Sequence, residues 1–323
     1  MPECERARVL IWKLLRHPSF KAYAALVSVC FFWGTTYLAI RMALESFPPI
    51  AMVAIRFTIS GGLMLVAARL AGAHLPRGRE LLVSAFTGIL TLGVGNGCLV
   101  FAEQWIASGL AALFITVSPF WMVGMEAMMP GGERLHRLTI LGMLVGLAGT
   151  MLLLSSGAVQ EDSGGGLLWG FLVLQMGSLG WAAGSIYQRR QPARAHPIVT
   201  GAFQQLAAGL AFGLLALLVP ERPIVPGVRG VAALVYLVIF GSIVGYSSYI
   251  YALSRLRVAV VSIYSYVNPV VAVILGWLFY REPFGAREAV AMAIIFLGVG
   301  IVKRYGSKGD VRPRSAAAGA SQK

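Results

Sequence analysis

Three full charges stand within or at the edges of long apolar runs: Arg56, Glu103 and Glu126. An arginine in hydrocarbon is destabilising by about 2.5 kcal/mol or more, so it must face a partner or water. Arg56 lies seven residues past Pro49, roughly 10 Å along a helix. There it suits the capture of an anionic group, the shaping of an outer gate or a purely structural role. Glu103 occupies the corner between two apolar runs, where it can meet Arg56 or carry a proton. Glu126, shortly before Pro130, is expected to reach the membrane interface.

A second polar group surrounds Pro269: Ser262, Tyr264, Ser265, Tyr266 and Asn268. Ser265 and Asn268 fall on one helical face. Unpartnered hydroxyls and amides cost several kcal/mol in hydrocarbon, so this face looks inward, toward interhelical hydrogen bonds or a wet pathway. Trp33 and Tyr37 share a face at i, i+4, and Asn96 lies among Gly93, Gly95 and Gly97, whose bare backbone a ligand can approach. The candidate substrate-binding residues are therefore Trp33, Tyr37, Arg56, Asn96, Tyr264, Ser265 and Asn268, with Glu103 the candidate for proton coupling. Pro119 and Pro269 are the candidate helix kinks. Each lacks the N–H that would satisfy the carbonyl four residues earlier, at Ile115 and Ser265.

None of these groups makes a catalytic set. Arg56 with scattered Tyr and Ser supplies no nucleophile, metal cluster or carboxylate pair, so the chain is not read as an enzyme. Without a GxxxxGK[ST] phosphate loop it has no ATP motor of its own. Cys4, Cys30 and Cys98 have no metal-site spacing, and His17, His74, His136 and His196 fall in connecting segments, so no metal and no cofactor is expected.

The elements that hold these residues are membrane spans. Of 323 residues 58% are hydrophobic and 12% charged, with a mean hydropathy of +0.75. Soluble chains carry about twice that charge. Apolar runs predict ten spans, at about 22–40, 49–71, 81–101, 105–128, 138–156, 166–187, 198–219, 230–251, 258–280 and 286–302. Residues 1–20 hold a short basic amphipathic piece, Arg8 to Arg16, that suits an interfacial helix. The fold class is an all-α membrane protein.

The net charge of +14 follows membrane orientation rather than nucleic acid. Of 27 Lys and Arg, 21 fall in the segments on the N-terminal side and five in those opposite, which makes both termini cytoplasmic.

The chain is also written twice. Gly95, Ala102 and Pro119 recur as Gly245, Ala252 and Pro269 at an offset of 150. Trp33, Arg41 and Pro49 recur as Trp181, Arg189 and Pro197 at 148, and Glu133 and Gly149 as Glu282 and Gly298 at 149. Five spans per copy is an odd number, so the second copy enters the bilayer from the opposite side. That is the inverted repeat of carriers that rock about a midplane site. The expected domains are a cytoplasmic N-terminus (1–20), a first repeat (21–156), a periplasmic linker (157–165), a second repeat (166–303) and a disordered basic tail (304–323). Glycine pairs four apart, Gly142/Gly146, Gly180/Gly184 and Gly241/Gly245, are read as helix-packing sites.

The chain resembles the drug/metabolite transporter superfamily, in its branch with two EamA-type domains. The resemblance is carried by Trp33-Gly34-Thr35-Thr36-Tyr37, Arg56-Phe57, the run from Ala102 through Pro119 to Glu133, and Gly142 and Gly149. Trp181-Ala182, Asn268-Pro269, Glu282 and Gly298 complete it. Two departures stand out: Gln204 takes the place of Arg56 in the second copy, and Ala291 that of Gly142. The resemblance implies a multi-pass secondary carrier of the cell inner membrane, exporting a metabolite, amino acid or toxic compound by alternating access through a central cavity. A passive facilitator or membrane sensor is the alternative with this fold. Expected partners are a small-molecule substrate, the lipid bilayer and a coupling proton, but no nucleic acid, with the carrier a monomer or homodimer.

Overall fold

The structure is a computed structural model that describes residues 18–106, 108–133, 136–154, 166–192, 194–280 and 285–306. The basic N-terminal piece, the linker 157–165, Glu282 and the tail beyond Gly306 lie outside the described residues.

Every regular element among the described residues is helical. The first half holds α1 (Pro18–Leu44), α2 (Pro49–Leu70), α3 (Arg79–Ala102), α4 in two segments (Ser108–Ile115 and Ser118–Met128) and α5 (Arg137–Leu154). The second holds α6 (Gly166–Arg190), α7 (Pro197–Leu218), α8 (Val228–Arg255), α9 in two segments (Val258–Val261 and Tyr264–Tyr280) and α10 (Ala286–Gly306). Among the described residues six apolar helices, in α1, α2, α3, α4, α7 and α8, are long enough to cross a membrane, and α5 and α9 contain shorter apolar helices. Several helices outrun their apolar runs. α1 is already helical at Pro18, the first described residue, and α8 continues to Arg255 rather than 251; Lys21 and Arg255 can carry helix into the headgroup layer on long aliphatic stems.

The two halves interleave. α1 packs on α8 and α9 of the second half, while α6 packs on α3 and α4 of the first; α2 pairs with α7, and α5 with α10. Small residues permit these crossings. A Cβ on Gly61 would fall 2.6 Å from the Leu206 backbone, and one on Gly209, its repeat mate, 2.4 Å from that of Thr58. Gly142 and Gly149 meet α10 nearly as closely, where added Cβ atoms would fall 3.0 Å from the Gly298 backbone and 2.8 Å from that of Ile295. In lipid, where apolar burial gives helices no drive to associate, such backbone approach supplies the dispersion contact that holds them.

α3 and α8 share a second feature. Each widens into π-helix in its middle, over Ile89–Asn96 and Leu237–Tyr246. A π turn spends an extra residue per turn at poorer packing, and such segments concentrate where a helix lines a site.

Candidate functional site

A cavity lies between the halves. Its walls come from Trp33, Thr36 and Tyr37 on α1, Arg56 and Phe57 on α2, Gly95, Asn96 and Leu99 on α3, Ile115 and Ser118 on α4, Gly177, Ser178 and Trp181 on α6, Gly241 and Tyr246 on α8, and Tyr264 and Asn268 on α9. Both π segments contribute, and walls of aromatic rings with a few convergent polar groups suit a small organic molecule.

Arg56 is the cation of this cavity. Its side chain is 3% exposed; Nε donates to Ser242 Oγ at 2.8 Å and Nη1 to Asn96 Oδ1 at 3.4 Å. The guanidinium also lies 4.9 Å from the Phe57 ring centroid. Among the described residues no carboxylate pairs with it. The expected meeting with Glu103 does not occur: Glu103 sits in the turn after α3, 7% exposed, with neither carboxylate oxygen hydrogen-bonded. Burial pushes its carboxyl well above the usual carboxylate range, against the opposing pull of Arg41. The cavity thus holds a desolvated positive charge bound only by neutral groups, which leaves it available to an anion.

Asn268 ties α9 to α1. In the amide orientation that satisfies both ends, its nitrogen donates to the Tyr264 and Cys30 carbonyls, each at 3.0 Å. Trp33 donates to the Gly241 carbonyl at 3.0 Å. Around Trp33 the rings of Trp181, Tyr249 and Tyr264 stand 5.1–5.3 Å away, centroid to centroid, and Tyr246 adjoins Trp181 at 6.1 Å. Tyr249 lies beneath this floor, accepting from Trp181 at 3.0 Å and donating to Ser185 at 2.8 Å.

Beyond the aromatic floor, toward the Arg-rich end of the bundle, charges tie the halves together. Arg190 pairs with Glu126 at 2.7 Å, and Glu133 joins Arg189 at 2.9 Å and Arg257 at 3.2 Å. Glu126, expected to reach the membrane interface, is buried in an ion pair with Arg190, which reaches it from α6.

Of the seven residues singled out in the sequence, six line the cavity: Trp33, Tyr37, Arg56, Asn96, Tyr264 and Asn268. Ser265 does not. The two prolines differ. Pro119 stands in the first turn of the second α4 segment, where a missing N–H removes no helical bond, so the interruption falls before it at Thr116 and Val117. Pro269 stands inside the second α9 segment, with the interruption at Ser262 and Ile263. Gly95 and Gly97, taken as open backbone, are covered by Trp181 and the Phe212 ring, although Gly95 still reaches the cavity. Sequence reasoning missed Ser242, Thr36, Trp181 and Tyr246. Trp181 and Tyr246 were accessible to it as the repeat mates of Trp33 and Asn96; Ser242, mate of Leu92, carried no such signal.

Comparison with known proteins agrees with this geometry. The EamA-like transporter family matches residues 20–155 and 168–304. The Escherichia coli K12 protein described as "Uncharacterized inner membrane transporter YedA" is 35% identical over 282 residues, covering 87% of this chain and 90% of the relative. A "Probable terminal-alkyne amino-acid exporter" of Streptantibioticus cattleyicolor is 27% identical over 290 residues, covering 88% and 94%. A solved crystal structure superimposes with a TM-score of 0.74 at 26% identity, over 88% of this chain and 96% of its own. With a matching module in each half and a cavity walled by both, the chain is a multi-pass membrane protein of the EamA-like transporter family.

Proposed function

We propose that the chain is a secondary active transporter that exports a small metabolite or amino acid bearing an anionic group, by alternating access through the central cavity. The observation that carries this reading is Arg56, a buried cation in a cavity walled by both repeats, held only by Ser242, Asn96 and a ring face. A carboxylate entering the cavity completes its coordination. The aromatic floor offers the rest of an amphipathic substrate flat apolar surface.

The ion pairs at the Arg-rich end support a state closed on that side. By the positive-inside count that side is the cytoplasm, so the cavity belongs to the arm of the cycle that faces outward. Glu103, buried and without a hydrogen-bond partner near that outer end, is the group proposed to take up the coupling proton.

The test is transport by purified protein in liposomes under an imposed proton gradient, offered labelled amino acids and toxic cations. Accumulation of an anion-bearing substrate against its gradient, abolished by an uncoupler, is the expected result. Flux that equilibrates but never concentrates would indicate a facilitator, and binding without flux a sensor.

A further inference from the structure

Repeat mates in this molecule make the same contacts with the halves exchanged. Gly241 packs against Thr36, and Gly184, the mate of Thr36, packs against Thr91, the mate of Gly241. Trp33 likewise covers Gly245, while its mate Trp181 covers Gly95. The offsets are 148 on the first helix of each half and 150 on the third. If the halves exchange conformations during a cycle, each residue takes up the surroundings of its mate.

Several cavity residues have mates that bear hydroxyls, and two of those mates stand apart: Thr91, the mate of Gly241, and Ser265, the mate of Ile115. Each is 1% exposed, and neither side-chain oxygen has a hydrogen-bond partner. The Tyr246 and Tyr264 hydroxyls approach them without closing a bond of ordinary length and angle. This is unusual, because a helical Ser or Thr normally satisfies itself on the carbonyl of the preceding turn. Thr36, Ser84, Thr87 and Thr150 all do so here. A buried hydroxyl with no partner destabilises the state that contains it. Thr91 also lies on the closed side of the floor, against Gly184, three residues past Trp181 toward Arg189.

We propose that Thr91 and Ser265 line the transport path when the carrier opens at its Arg-rich end, where water or substrate supplies the hydrogen bonds they lack in this state. The proposal rests on the alternating-access reading above and assigns two contact residues to its other arm.

Single cysteines test it, introduced as Thr91→Cys, Ser265→Cys and Ile115→Cys after Cys4, Cys30 and Cys98 are replaced, and probed with a membrane-impermeant maleimide from each face of the vesicle. Ile115→Cys is expected to react from the face nearer Glu103, and the other two only from the Arg-rich face. Adding Glu133→Gln, which removes the carboxylate shared by Arg189 and Arg257, should speed those two by about five- to tenfold and slow Ile115→Cys. If Ile115→Cys slows while Thr91→Cys and Ser265→Cys stay unreactive, alternation stands and the assignment is wrong. If Ile115→Cys is indifferent to Glu133→Gln and nothing reacts from the Arg-rich face, the alternating-access reading falls and takes the assignment with it. Should a cysteine variant fail to fold, Thr91→Val and Ser265→Ala keep the shape without the hydroxyl. They are expected to raise Tm while lowering turnover, and unchanged turnover in both would overturn the proposal.

Discussion

The Tyr246 hydroxyl donates to Gln204 Oε1 at 3.0 Å, joining α8 to α7 as the Arg56–Asn96 bond joins α2 to α3. The residues are repeat mates, 204 of 56 and 246 of 96. The same joint is therefore built twice, once with a cation facing the cavity and once neutral. Gln204 is spent structurally, since its nitrogen also donates to Thr87 at 2.9 Å. Arg56 keeps charge to spare, so two similar halves present different chemistry to the cavity.

Replacing Arg56 with Gln should keep a hydrogen-bond donor but lose the charge. A charge-assisted hydrogen bond contributes about 1.5–3 kcal/mol, so KM for an anion-bearing substrate is expected to rise about 10- to 100-fold. Arg56→Lys should recover part of the loss, having charge without the planar fork. Initial rates over a substrate series would separate this from a fall in turnover.

Glu103→Gln tests the proposed proton site. Burial raises this carboxyl, so it stays protonated to a higher pH than a free glutamate and ionises as pH rises through that raised value. Transport that needs the protonated form should decline across that interval, and in Glu103→Gln the decline should vanish. The stability linkage has the same sign. A raised folded-state pKa gives stability that is full below the unfolded value and lost as pH climbs through the folded one. Thermal unfolding in detergent against pH should then slope downward in the wild type and flatten in the variant.

Glu126→Ala leaves Arg190 without its carboxylate in a place where that arginine is only 14% exposed. Removing one member of a buried pair costs about 3–5 kcal/mol, against about 0–1 kcal/mol for an exposed pair. Glu45→Ala, which breaks the exposed pair with Arg229, is the matched control. The first should lower Tm markedly and the second barely.

Gly61 and Gly62 are adjacent and opposite in surroundings. Added methyl at Gly61 meets the Leu206 backbone, whereas at Gly62 nothing lies within 4 Å. Overpacking of this kind costs about 1–3 kcal/mol, and an open helical Gly→Ala change gains up to about 1 kcal/mol. Gly61→Ala should therefore unfold at lower temperature than the wild type and Gly62→Ala at the same or higher, measured side by side in one detergent.

Much of the cavity was legible in the sequence because polar groups inside apolar runs are rare enough to point inward by themselves, as Arg56, Asn96 and Asn268 do. What could not be read was orientation around each helix axis. Ser265 sits one residue from Tyr264, about 100° away on a helix, and that rotation takes it out of the cavity. The π turns in α3 and α8 change such angles further and leave no trace in hydropathy, since Leu92 and Val94 read as ordinary span residues.

The sequence alone determined that this is a bundle of membrane helices written twice, with a lone arginine at depth in one copy and glutamine in the other. Hydropathy, charge bias and repeat spacing are properties of the chain that any packing must respect. Only the tertiary structure decided that Arg56 rests on Ser242 rather than Glu103, that Glu126 is taken by Arg190, and that Thr91 is left without a partner. Those outcomes depend on contacts between helices far apart in the chain, where rotation by a fraction of a turn decides which side chain arrives.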